Sequence, residues 1–110
     1  MQVVTVQELR LKPGGAEKFV ARFAELNVLP LAAEAADGGL LEAVMGQSDE
    51  TVVVVTRWGS EEGIAAWLAS PARARVQSEL ESYYAEPPVV RRFTLRARYE
   101  AVTSGETRDG

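Results

Sequence analysis

Two side chains that dominate enzyme chemistry are missing from this sequence: its 110 residues include no cysteine and no histidine. Without cysteine there are no disulfides, no thiolate nucleophiles and no thiolate-bound metals. Without histidine the chain lacks the usual acid/base group of neutral pH, the commonest transition-metal ligand and the usual axial ligand of haem iron. Catalysis is left to carboxylates, tyrosine, arginine, indole and amide groups. Positive charge is also scarce. Twelve Lys and Arg stand against 16 Asp and Glu, a net charge of −4, which opposes a nucleic-acid partner because that affinity comes largely from clustered positive charge. No apolar run approaches the roughly 20 residues of a membrane-spanning helix. Met1 leads straight into the alternating VVTVQELRL rather than into a basic stretch and a long apolar one. The expected location is the cytoplasm, with neither membrane nor nucleic acid as partner.

What is present reads as an ordinary globular chain, 46% hydrophobic and 25% charged. One domain is expected over about residues 1–100, and the small, polar residues 101–110 are expected to form a flexible tail. From Gln2 to Lys12 the residues alternate. Val3, Thr5, Gln7, Leu9 and Leu11 share one face of a strand, and Val4, Val6, Glu8 and Arg10 the other. Pro13-Gly14-Gly15 is a turn signal, after which Phe19, Val20, Phe23 and Leu26 recur at helical spacing. Pro30 is expected to kink or end that helix, leaving Leu31 to Ala36 as a further turn or irregular continuation.

Leu40 to Gln47 and Thr51 to Trp58 predict two strands joined by a short hairpin at Ser48-Asp49-Glu50. Ser60-Glu61-Glu62 predicts a helix start, with Ile64, Trp67 and Leu68 as its apolar stripe. Ser70-Pro71 starts a further helix whose buried line is Val76, Leu80 and Tyr83 or Tyr84, and a last strand is expected from Val89 to about Tyr99. The order β-α-β-β-α-β, the second helix in two pieces, is the split β-α-β of an α+β, ferredoxin-like fold: a four-stranded antiparallel sheet with its helices on one face. Val52-Val53-Val54-Val55 is apolar on both faces of its strand. A half-covered sheet would alternate, so the open face is expected to be covered by a second copy, sheet against sheet.

With these elements in place, the chain resembles the antibiotic biosynthesis monooxygenase superfamily of dimeric α/β barrels over about Val3 to Tyr99. The marks are the element order, Trp58-Gly59-Ser60-Glu61-Glu62 at the end of the third strand, the following Trp67-Leu68-Ala69-Ser70-Pro71, and Pro87-Pro88 before the last strand. The resemblance implies a homodimer whose pocket takes a small aromatic substrate and dioxygen. Among the activities of the superfamily is cofactor-independent oxidation of polyketide anthrones or hydroquinones to quinones. Trp67 falls where both characterised oxygenase branches have a pocket tryptophan, and Gln7 where those enzymes often carry an asparagine. Haem-degrading members use a histidine about three turns after the tryptophan. That region here reads Ala74-Arg75-Val76-Gln77, so no cofactor is expected. Some quinone-forming members have a second asparagine one turn before the tryptophan, where this chain has Gly63.

The expected site therefore has Trp67 and Gln7 as catalytic groups and Phe23, Arg57, Tyr83 and Arg91 as substrate-binding groups. An indole offers a flat stacking surface and an N–H that only donates, and an amide or phenol adds a second donor. Arg57 or Arg91 would favour an anionic substrate. Each has a structural reading beside it. Trp67 shares the stripe of Ile64 and Leu68 and could be core. Gln7 could spend its amide on a cross-strand bond, because leaving it buried and unpaired costs about 1–3 kcal/mol. Trp58 reads as packing or interface. Arg91, Arg92, Arg96 and Arg98 read as edge-strand charges paired with Glu8 or Glu42. The alternative function is a non-redox ligand-binding or cyclase-like accessory protein with the same fold.

Overall fold

The alternation of the first segment produces strand β1 (Val3–Arg10) in the computed structural model, which describes residues 1–101. Around it follow α1 (Ala16–Glu25), α2 (Val28–Ala36), β2 (Leu40–Ser48), β3 (Thr51–Trp58), α3 (Glu61–Leu68), α4 (Pro71–Leu80), a 3-10 turn (Glu81–Tyr83) and β4 (Val89–Thr94). The sheet order is β2-β3-β1-β4 and every neighbouring pair is antiparallel. This is the ferredoxin-like α+β arrangement expected from the sequence. Of the expected tail, residues 102–110 lie outside the described residues. No helix among the described residues is long and apolar enough to cross a membrane.

Two elements differ from their sequence reading. The first helix breaks before Pro30, at Asn27, whose φ of 54° lies in the left-handed region. Pro30 then occupies the first turn of α2, where its missing N–H would have had no intrahelical partner. Leu31 to Ala36 is therefore regular helix. The last strand stops at Thr94 rather than near Tyr99, because its ladder to β1 ends where Thr94 pairs with Val3, the first residue of that strand. The hairpin between β2 and β3 is tight, with Ser48 paired to Thr51 across Asp49-Glu50.

Glu50 contributes more than a turn position. Its two carboxylate oxygens accept from the backbone N–H groups of Gly14 and Ala16, each at 3.0 Å. The negative charge thus sits at the N-terminal end of α1, whose own flanking residue, Gly15, has no side chain to cap it. A long-range side chain replaces the missing local cap and ties the β2–β3 hairpin to the first crossover.

The core lies between the helices and one face of the sheet. Leu9, Leu11, Ala16, Phe19, Val28, Val52, Val54, Val76 and Leu80 form one cluster. Val3, Ala36, Trp58 and Ile64 form a second at the other end of the strands. Phe19, with no exposed surface, anchors the larger one and stabilises by about 2–3 kcal/mol through its burial. On β3, Val52 and Val54 face the helices while Val53 and Val55 face outward and are half-buried.

Removing the Glu50 carboxylate leaves two backbone donors at the start of α1 without partners. Glu50→Ala should cost about 1–2 kcal/mol, lowering the thermal midpoint followed by circular dichroism by about 4–8 °C for each kcal/mol. A variant that melts with the wild-type chain would contradict this capping role.

Candidate functional site

The face of the sheet under the helices is apolar at both ends and polar between. Thr5 of β1 stands between Thr56 of β3 and Arg92 of β4 in one cross-strand row. One row along, Gln7 stands between Val54 and Val90. The two core clusters lie on either side of these positions, and the space above them is a cavity. It has two adjoining chambers of about 110 and 240 Å³. Gln7, Phe23, Val28, Trp67, Arg73 and Val90 line both and mark the boundary between them. Taken together, the chambers reach the lower end of the roughly 300–1,000 Å³ usual for small-molecule sites.

The smaller chamber is floored by Thr5, Thr56 and Trp58 and walled by α2 and α3. The Trp58 indole N–H donates to the Thr5 hydroxyl at 3.0 Å, so this tryptophan is fixed in the smaller core cluster with its donor already used. The larger chamber runs toward Phe19, Val76, Leu80 and Tyr84. Trp67 is half-buried and packs against both clusters while lining both chambers. It is core along one part of its surface and cavity wall along another. Neither its indole N–H nor the Gln7 amide has a hydrogen-bond partner among the described residues. No described side-chain polar atom is sealed from solvent without a partner, so the Gln7 amide faces open space rather than dry packing.

Three of the six expected site residues, Trp67, Gln7 and Phe23, thus meet in one place. The other three do not. Arg57 and Arg91 belong to the opposite face of the sheet, because β3 and β4 present Thr56 and Arg92 to the helices and their sequence neighbours outward. Arg57 donates to Glu42 and to Gln2, each at 3.0 Å. Arg92 reaches the cavity instead and donates to Glu61 of α3 at 2.6 Å. The expected pairing of β4 arginines with Glu8 or Glu42 is not found among the described residues, where Glu42 holds Arg57 and Arg98 holds Glu100.

Tyr83 lies beside the cavity rather than in it. Helical periodicity allows one of Tyr83 and Tyr84 inward, yet both touch Phe19, at centroid distances of 6.0 and 5.9 Å. The chain leaves helical geometry here, with Tyr83 ending the 3-10 turn and Tyr84 bridging to Leu11 as an extended residue. That change of backbone turns both rings to the core and gives only Tyr84 to the chamber. Of the two tyrosines the sequence left open, Tyr84 is the one that lines the cavity, and Arg73 and Arg92 are the charged lining residues that sequence reasoning missed. The one sequence signal for Arg73 is a cation two residues beyond the Trp67-Leu68-Ala69-Ser70-Pro71 phrase.

Gly63 carries no donor into the cavity. A Cβ there would meet the Gly39 Cα at 3.2 Å, and one on Gly39 would meet the Gly63 Cα at 3.0 Å. The two glycines let α3 approach the segment before β2 at backbone distance, and Gly59 seals the corner by donating to the Gly39 carbonyl at 2.7 Å. Among the described residues, no group of three or more His, Cys, Asp or Glu side chains is placed to hold a metal ion.

Burial pushes the Tyr84 phenol above its ordinary value, with the positive charge of Arg73 opposing that shift. The unfolded chain releases its phenolic proton near pH 10 while the folded chain still holds it. The stability tied to Tyr84 is therefore complete below about pH 10 and is lost as pH rises through the higher folded value. Urea unfolding between about pH 9 and 11 should show this decline, and Tyr84→Phe should flatten part of it. Parallel declines in both proteins would contradict the assignment to Tyr84.

The family model described as antibiotic biosynthesis monooxygenase matches residues 2–79. No curated protein sequence matches the chain. Among solved structures, the fold is similar to that of Rv0793 from Mycobacterium tuberculosis, with a TM-score of 0.75 and 15% identity over 91% of this chain and 100% of that one. SnoaB, a cofactor-independent oxygenase from Streptomyces nogalater, matches with a TM-score of 0.75 and 17% identity over 88% of this chain and 95% of its own. The monooxygenase from the ActVA-Orf6 gene of Streptomyces coelicolor, solved in complex with nanaomycin D, matches with a TM-score of 0.74 and 24% identity, covering 91% and 92% of the two chains.

Proposed function

Since the chain belongs to the antibiotic biosynthesis monooxygenase family, we propose that it is a cofactor-independent monooxygenase that oxidises an aromatic polyketide of anthrone or hydroquinone type to a quinone. The observation that carries this reading is the cavity itself, lined on the same boundary by an aromatic wall and by two side chains, Trp67 and Gln7, whose donors have no partner among the described residues. An anthrone is its own reductant. It loses a proton to solvent, and the enolate passes an electron to dioxygen. The two radicals combine at the ring carbon. One oxygen atom stays as the new carbonyl, and the other leaves as water with both methylene hydrogens.

The chain's residues have a limited task in this chemistry. Trp67 and Phe23 hold the flat ring by stacking. The Trp67 N–H and the Gln7 amide donate to the oxygen on which negative charge develops, a fixed arrangement that favours the enolate over its neutral parent. The helices above the sheet limit water around the intermediate. A second reading, non-redox binding of the same kind of ligand by an accessory protein, is favoured by Gly63, whose position brings no further donor to the cavity.

The open face of the sheet supports a homodimer. Val4, Val6, Val53 and Val55 run through its centre, and Val44 and Phe93 on the two outer strands are about half exposed, at 55% and 49%. A second copy laid sheet to sheet would remove this surface from water and close the pair as a dimeric α/β barrel.

Two measurements test these readings. Incubation with a model anthrone under air should give quinone faster than buffer alone. Trp67→Phe, which keeps the ring and removes the donor, should slow turnover by about tenfold to a hundredfold, at or below the effect of losing one preorganised oxyanion donor. Equal rates with and without protein would remove the oxygenase reading for that substrate and leave the accessory one. In sedimentation at micromolar concentration the wild-type chain should run at twice its mass and Phe93→Asp at the mass of one chain. A wild-type monomer would overturn the sheet-to-sheet pairing.

A further inference from the structure

We propose that the natural ligand of the cavity is an aromatic carboxylate whose permanent negative charge sits on Arg73. This rests on the reading of the cavity as the substrate site and names the chemical class of what it takes.

The argument begins with charge. The chain is acidic overall, at −4, yet the charged residues lining the two chambers are Arg73 and Arg92, with no carboxylate among the lining residues. The two arginines are not equivalent. Arg92 is held at 2.6 Å by Glu61, so its charge is compensated within the chain. Arg73 has neither an ion pair nor a side-chain hydrogen bond among the described residues, and it lines both chambers.

Its place in the fold is also unfavourable for stability. Arg73 lies in the first turn of α4, which contains no acidic residue. A cation there opposes the positive end of the helix dipole. Ser70 caps that turn by accepting from the Arg73 backbone N–H at 3.1 Å, which leaves the guanidinium with no part in holding the helix. The guanidinium of this half-buried arginine, with no ion pair among the described residues and placed against its helix dipole, is matched by a ligand carboxylate, whose two oxygens fit its planar fork.

The boundary position fixes the geometry of binding. A carboxylate on Arg73 leaves the attached rings within reach of Trp67 and Phe23, which share that boundary. The enolate, by contrast, exists only during reaction and is served by Trp67 and Gln7. Arg73 thus orients the ring system from a charge that does not change, while the neutral donors act on the charge that develops.

Binding of anthraquinone-2-carboxylate and its neutral isostere anthraquinone-2-carboxamide tests this without turnover, since neither can undergo the anthrone oxidation. Quenching of tryptophan fluorescence reports affinity. The wild-type chain should bind the acid at least about tenfold more tightly than the amide. Arg73→Gln should abolish that preference while leaving amide affinity in place, and Arg73→Lys should retain part of it. Equal affinities, binding of neither compound, or a preference that survives in Arg73→Gln would each overturn the proposal, the last by moving the charge recognition to Arg92. If Arg73→Gln fails to fold by circular dichroism, the wild-type preference together with Arg73→Lys decides the matter. Acid preference without anthrone turnover would sink the oxygenase reading alone, and turnover without acid preference would sink this inference alone.

Discussion

The rest of the structure depends on a polar row crossing an otherwise apolar sheet face. Thr56, Thr5 and Arg92 stand side by side on three adjacent strands beneath the helices, with Gln7 one row along. Apolar residues at those positions would let the two core clusters merge, since protein interiors close to near-crystalline density. Polar residues there need partners or access to solvent. The chain meets that requirement partly by the Trp58 to Thr5 hydrogen bond and partly by leaving space. The cavity is thus the consequence of where the polar residues stand in the register.

Trp67 is what makes such a divided core stable. Its ring packs against both clusters, so one side chain bridges the ends of the core and still presents surface to the space between them. Glycine serves the same layout from outside. At Gly39 and Gly63 the backbones approach so closely that a Cβ on either would have to push the other back by a few tenths of an ångström, and this approach brings α3 down onto the chain before β2. A side chain with a donor at Gly63 would strain that approach. The neutral donors lining the cavity include Trp67, Gln7 and Tyr84, and its positive charge comes from the edge strand and α4.

The two faces of the sheet divide the labour of the fold. Beneath the helices the face lines the cavity. On the other side it is a valine-rich surface bordered by the Arg57–Glu42 pair. β3 serves both faces at once, which is why its four consecutive valines do not alternate with polar residues.

Sequence alone determined the element order, the antiparallel sheet and the apolar character of both its faces, and it placed Gln7 on the sheet face that Leu9 and Leu11 share. These follow from local periodicity, and an alternating strand fixes which residues share a face whatever the rest of the chain does. The choice of Trp67 and Gln7 as a pair came from the resemblance to the family, not from periodicity. Tertiary structure decided the rest. Which face of β3 and β4 lies under the helices depends on the pairing register, and a shift of one residue exchanges Arg57 for Thr56 and Arg91 for Arg92. The orientation of Tyr83 and Tyr84 depends on a 3-10 turn that ends in a bridge to Leu11, and the break at Asn27 depends on a left-handed residue that composition does not announce. Above all, an arginine is recognisable as free only when every carboxylate near it has been placed. For that reason Arg73, unremarkable in the sequence, emerged only from the folded chain.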